Sequence, residues 1–184
     1  MPLPITEVER ELTHTRKTRY EGYKRKDGLW DIEAHLTDVK SHDQTMKTGV
    51  RRAGQPVHDM WLRVTIDRHL NILDAAASMD AVPYPDGCEH IAPAYRRLIG
   101  LNLVKDFRKK TRELFGTVKG CTHLTEMLAG LPTAAIQTFA GEVKEERADG
   151  KKPFQLDQCH ALDTHSETVL RWYPKWHKKE KAPA

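Results

Sequence analysis

No stretch of this chain approaches the roughly eighteen consecutive apolar residues of a membrane-spanning helix, so an integral helical membrane protein is excluded. The start, Met1-Pro2-Leu3-Pro4-Ile5-Thr6-Glu7, lacks a basic region followed by an apolar run of about seven residues, the mark of a secretory leader. The expected location is therefore the cytoplasm. Cysteine is scarce: Cys88, Cys121 and Cys159 are three, an odd number that favours free thiols or a metal site over a disulfide framework. Positive charge is not concentrated either. Lys and Arg exceed Asp and Glu by 30 to 26, and the tail Trp176-His177-Lys178-Lys179-Glu180-Lys181 carries much of that excess. The basic face that multiplies phosphate contacts is missing, so no nucleic-acid partner is expected. No cofactor fingerprint, internal repeat or low-complexity stretch beyond the tail is present, and no cofactor is expected.

What remains is an ordinary globular composition. With 184 residues, 39% of them hydrophobic and 30% charged, the chain is long enough to close one substantial core. Residues 1–13 read as an N-terminal extension, 14–174 as a single domain and 175–184 as a basic, disordered tail. Residues 18–38 read as a hairpin. Tyr20 to Lys24 lead into the turn Lys26-Asp27-Gly28, and Trp30, Ile32, Ala34 and Leu36 then alternate with Asp31, Glu33, His35 and Thr37. Ser41–Gly54 is polar and reads as a loop able to fold over a ligand. In a second hairpin, Met60, Leu62, Val64 and Ile66 share one face and Asp59, Trp61, Arg63 and Thr65 the other, before a return through Leu70–Met79.

Helical spacing then takes over. Ile91, Ala94, Tyr95 and Leu98 precede Gly100, and Val104, Phe107, Thr111, Leu114 and Phe115 precede Gly116. Thr122 is placed to cap a third helix through Leu131, and Pro132 restarts a fourth through Val143. Glu167–Tyr173 reads as a short strand, with one helical turn as the alternative. Strands followed by helices, without a repeated βαβ rhythm, give an α+β fold: antiparallel hairpins in the N-terminal half packed against about four C-terminal helices.

Two clusters place a histidine beside an acid or a thiol: Pro56-Val57-His58-Asp59-Met60-Trp61 and Gly120-Cys121-Thr122-His123-Leu124. His58 falls in phase with the apolar face, so it is either a satisfied core histidine or a residue facing a cavity. Asp59, its neighbour on a strand, points to the opposite face and orients the ring only through a bulge. Asp31 is the other acid placed to reach it. His123, in the first turn of a helix, is either an inert surface histidine or, held neutral by the positive helix end, a general base. Cys121-Thr122-His123 together with Cys159-His160 supplies a formal zinc complement, but its spacing departs from the usual knuckle. Arg16, Tyr95 and Arg97 are placed to grip polar oxygens of a substrate, and Trp30 and Trp61 to line an aromatic pocket. His14 has the same double reading as Arg16, site or solvent.

In order, His14-Thr15-Arg16, Asp27-Gly28-Leu29-Trp30-Asp31, Pro56 to Arg63, Ile91-Ala92-Pro93-Ala94-Tyr95-Arg96 and Gly120 to Leu124 resemble the bacterial family called domain of unknown function 2889, over about His14 to Tyr173. The resemblance implies a fold boundary and a set of site residues, and it links the chain to bacterial breakdown of plant-derived aromatic dimers, including cofactor-free loss of a side-chain carbon as formaldehyde.

The expectation is thus a small acid–base enzyme, a carbon–carbon lyase on an aromatic substrate. His58 and His123 would converge on one enclosed hollow as proton carriers, and Asp31 or Asp59 would orient one of them. The alternatives are a small-molecule-binding or accessory protein, and a metal carrier using Cys121, His123, Cys159 and His160. The sequence leaves a homodimer open.

Overall fold

Alternating apolar residues in the first half of the chain produce four long strands. The computed structural model describes residues 3–140, 151–153 and 155–179. It divides into two units, Met1–Thr138 and Phe139–Ala184, each described by itself.

In the first unit, β1 (His14–Lys24) and β2 (Trp30–Lys40) form the first hairpin; β5 (Pro56–Ile66) and β6 (Ile72–Ala81) form the second. They join as an antiparallel sheet of order β1-β2-β5-β6. The β1–β2 turn closes through the Arg25 N–H, which donates to the Leu29 carbonyl at 2.9 Å, with Gly28 at φ +83°, a conformation that suits glycine. Ser41–Gly54 is more ordered than its polarity suggests. It holds a small hairpin, β3 (Gln44–Met46) and β4 (Gly49–Arg51). The Arg51 guanidinium fastens it by donating to the carbonyls of Pro56 (2.6 Å) and Val82 (3.0 Å).

Only one sheet face is apolar. Ile32, Ala34 and Leu36 of β2 meet Met60, Leu62, Val64 and Ile66 of β5, all essentially without solvent exposure. Burial of each larger side chain among them stabilises the fold by about 2 kcal/mol. The opposite face carries Asp31, Glu33, His35, Asp59, Trp61 and Arg63, half-buried or exposed.

Helices cover the apolar face. Glu89–Leu98 forms a long 3-10 helix, so its buried stripe is Ala92, Tyr95 and Leu98, at the three-residue period of that helix. An α-helical spacing would have chosen Ile91 and Ala94. α1 (Phe107–Phe115) buries Phe107, Thr111 and Phe115. α2 (Thr122–Leu128) and α3 (Leu131–Thr138) lie against the sheet, α2 over β2 and β5 and α3 over β1 and β2. Two glycines permit that approach: a Cβ on Gly130 would collide with the Tyr20 ring, and one on Gly22 with the Thr138 side chain. The Tyr20 hydroxyl donates to the Met127 carbonyl at 2.9 Å. Thr122 opens α2, but Cys121 occupies the cap position and its side chain makes no cap hydrogen bond.

In the second unit, Glu167–Trp172 is helical (α4), not extended, because the Ser166 hydroxyl caps it by accepting the Val169 N–H. Leu156 and Val169 are buried. Pro174–Trp176 forms a 3-10 turn, so the start of the basic tail has regular structure. The part of the expected fourth helix beyond Ala140, most of the polar stretch after it and the tail from residue 180 lie outside the described residues. Among the described residues no helix is long and apolar enough to cross a membrane.

Candidate functional site

The apolar register of β2 runs Ile32, Ala34, Leu36, and its next inward position is Asp38. A carboxylate therefore enters the end of the core, with only 3% of the residue exposed. The strand register then selects its neighbours. Arg16 of β1 and His58 of β5 stand opposite Asp38 on either side. His14, two residues before Arg16, shares their face. The start of α2 adds Cys121, His123 and Glu126 from above.

Asp38 is the hub of this cluster. Its Oδ1 accepts from Arg16 Nε at 2.8 Å and lies 2.8 Å from His14 Nε2; its Oδ2 accepts from Arg16 Nη2 at 2.8 Å and lies 2.9 Å from His58 Nδ1. A carboxylate offers about four lone-pair directions, and these contacts use them all. Arg16 also donates through Nη1 to Glu126 at 2.7 Å, which joins β1 to α2. The His58 and His123 rings pack on each other with centroids 3.8 Å apart at 33°, and His123 Nε2 lies 3.7 Å from Asp38 Oδ2. Cys121 Sγ is 4.0 Å from His123 Nδ1. Side-chain exposure rises from Asp38 (5%) through His58 (14%) and His123 (22%) to Arg16 (34%) and His14 (36%), so the cluster grades outward from a dry carboxylate to a wet rim.

Burial alone would raise the Asp38 carboxyl, but the Arg16 guanidinium, with the His14 and His58 rings, outweighs it and holds the group well below the usual carboxylate range. An ionised Asp38 accepts, so His58 carries its proton on Nδ1 and presents a bare Nε2. His58 itself is shifted down, first by burial and then by the facing His123, against the opposing pull of Asp38. His123 is also shifted down, by burial first and by Arg16 second. The direction matches the sequence expectation for His123, but the causes are desolvation and the guanidinium. Two rings in contact cannot both readily hold a positive charge, so the pair takes up one proton at a time.

One ring nitrogen each of His58 and His123 and an Asp38 oxygen lie within 4.8 Å of one another, close enough to chelate a cation. The chemistry of the set opposes this. Both carboxylate oxygens are already engaged by the Arg16 guanidinium, so a cation there would sit beside a fixed positive charge. Of the four residues of the alternative metal-carrier reading, Cys121 and His123 belong to the first unit and Cys159 and His160 to the second.

Several sequence-derived placements change. His58 and His123 do meet, but they touch each other and do not face across a hollow. Neither expected acid orients them. Asp31 lies on the opposite sheet face, accepting from the Thr65 hydroxyl at 2.6 Å and Arg25 at 3.2 Å. Asp59, on that same face, sits 2.6 Å from His35 Nε2, because alternation along β5 carries it away from His58. Trp61 stacks on His35 there. Trp30 lies at the other end of β2 from Asp38, about 26 Å along the strand.

Tyr95 is fully buried and grips backbone rather than ligand: its hydroxyl donates to the Cys121 carbonyl, receives the Cys121 N–H and lies 2.8 Å from Thr125 Oγ1. It thereby fixes the start of α2 beneath His123. Arg97 donates to the Leu114 carbonyl and lies over the Phe115 ring. Arg16 alone of the expected oxygen-grippers joins the cluster. Asp38 is the residue that sequence reasoning missed. Its signal was present: a charged residue at the next in-phase position after Ile32, Ala34 and Leu36.

Residues 14–137 match the family described as Protein of unknown function (DUF2889), and the chain belongs to that family. No curated protein and no solved structure matches the chain.

Proposed function

We propose that this protein is a cofactor-independent enzyme performing acid–base chemistry on a small aromatic substrate at the His58–His123 pair. One observation carries the proposal: two desolvated imidazoles in contact, one of them held by a buried, ionised Asp38 so that its Nε2 is bare. His58 is the base. Asp38 stabilises the imidazolium formed when Nε2 accepts a proton, and His14 and Arg16 hold Asp38 in place. His123, nearer to solvent, exchanges that proton with His58 and returns it to the leaving group.

The reaction we assign, on the strength of the family resemblance, is a carbon–carbon lyase step on a phenylpropanoid dimer. His58 takes the hydroxyl proton of a primary alcohol, and the adjacent carbon–carbon bond breaks to release formaldehyde. Its electron pair forms an alkene as the benzylic carbon–oxygen bond opens, and the departing oxygen is protonated by the histidine pair. Atoms and electrons balance without metal or nucleotide. In this proposal the partner is the small molecule, with no nucleic acid or membrane involved, and the setting is the cytoplasm.

The test is incubation of purified protein with phenylpropanoid dimers carrying a primary alcohol, followed by formaldehyde and alkene analysis. Equimolar formaldehyde and alkene, lost in His58→Gln, are expected. Substrate-dependent thermal stabilisation without turnover would instead assign a binding protein.

A further inference from the structure

The face of the sheet opposite α2 and α3 carries a second cluster that the proposed chemistry does not use. Strand register places Arg19 of β1, His35 of β2, Trp61 of β5 and Ser78 of β6 in one row across this face. Side chains on a sheet stand roughly perpendicular to it, so aromatic neighbours in such a row stack like plates. His35 and Trp61 do so, with centroids 3.7 Å apart and an interplanar angle of 8°. Asp59 holds the imidazole through its 2.6 Å contact with His35 Nε2, and the Arg19 guanidinium lies 5.9 Å from the centre of the Trp61 ring. Arg19 thus stands at the β1 end of the row. At the β6 end there is no plate: Ser78 stands opposite Trp61, and Ala76, the next residue on the same face, stands opposite Arg63. The missing bulk leaves a cleft of about 200 Å³ lined by Trp61, Arg63, Glu33, Ala76 and Ser78.

We infer that this cleft is a second binding site, which takes one planar hydroxylated aromatic ring as a further plate against Trp61 over Ser78 and Ala76. Size, apolar floor and polar edge agree. The volume is below the ~300 Å³ at which pockets accept drug-sized ligands, so it suits a single ring. Trp61 offers a stacking surface prepared by His35, which lowers the ordering cost on binding. Glu33 and Arg63 face each other loosely at 3.7 Å along the rim, with half of the Arg63 side chain exposed, and supply an acceptor and donors for a phenolic hydroxyl.

The site lies on the opposite face from Asp38, so its occupancy does not depend on the chemistry proposed there. Phenol is the probe, titrated while the indole N–H signal of Trp61, assigned with Trp61→Phe, is followed by two-dimensional NMR. A saturable shift of that signal is expected. Ser78→Phe, which fills the cleft from an exposed position, should abolish the shift. Trp61→Leu should weaken phenol binding roughly tenfold in ligand-observed saturation transfer. His58→Gln should leave the Trp61 shift unchanged. An unmoved Trp61 signal in the wild-type protein overturns the inference, and so does a shift that persists in Ser78→Phe.

Discussion

The most consequential single residue is Asp38. An aspartate in phase with Ile32, Ala34 and Leu36 is costly unless its charge is met, and Arg16, His14 and His58 meet it. Asp38→Asn keeps the shape but removes the charge. It should destabilise the fold by about 2 kcal/mol, discounted from the ~3–5 kcal/mol of a fully buried pair because Arg16 is a third exposed. Urea denaturation measures this. His58→Gln and His123→Gln should each lower turnover by about 10²–10⁴-fold while leaving circular dichroism unchanged. Of these residues, His58 was legible in the sequence because a histidine at an apolar strand position is conspicuous. Its partner acid was not, because the nearer acids Asp59 and Asp31 drew attention, whereas alternation sends both to the other face. Cross-strand register, which joins Arg16, Asp38 and His58 in one row, depends on pairing that no single segment reveals.

Among the elements, α2 matters most because its start supplies Cys121, His123 and Glu126 to the site, and α3 packs beside it on the sheet. Their approach depends on glycines facing larger side chains. Gly130→Ala places a methyl group into the Tyr20 ring, and should cost about 1–3 kcal/mol and loosen the packing of α2 and α3 on the sheet. A lowered urea midpoint together with faster amide exchange in α2 would register this; wild-type behaviour in both would show that the helices settle elsewhere. The two long hairpins were legible because a period of two is clean wherever one face is buried and the other wet. The β3–β4 hairpin was not. Its strands are three residues long, and Arg51 secures it through contacts with Pro56 and Val82 outside the segment. The 3-10 helix was read with the wrong stripe because Tyr95 and Leu98 fit a period of 3.0 as well as 3.6, and Ala92 decides between them. Glu167–Trp172 was ambiguous until its Ser166 cap was located.

At the scale of the whole molecule, the four-stranded sheet separates two kinds of chemistry. One face carries the dry core and, at its end, the Asp38 cluster; the other carries the half-exposed Trp61 row. Acid should act on stability in two stages. His58 and His123 have folded-state values below the ordinary ~6.5, so below that pH the unfolded chain binds more protons than the folded one. Their contribution is complete above pH ~6.5 and is lost as pH falls through the depressed values. Asp38 remains ionised in the folded state where an unfolded aspartate protonates, so its contribution is lost as pH falls below ~4. Urea denaturation across pH should show both declines, with the upper one reduced in His58→Gln.

The fold class was legible from the order of strands and helices. The convergence of β1, β2, β5 and α2 on one carboxylate became visible only in three dimensions. The most direct test of that convergence is a ¹H–¹⁵N NMR titration of the imidazole nitrogens. It should find His58 neutral at pH 7, protonated on Nδ1 and bare on Nε2, with its midpoint below 6.5 and the preference for Nδ1 lost in Asp38→Asn. A His58 imidazolium at pH 7, or a neutral ring protonated on Nε2, would contradict the account.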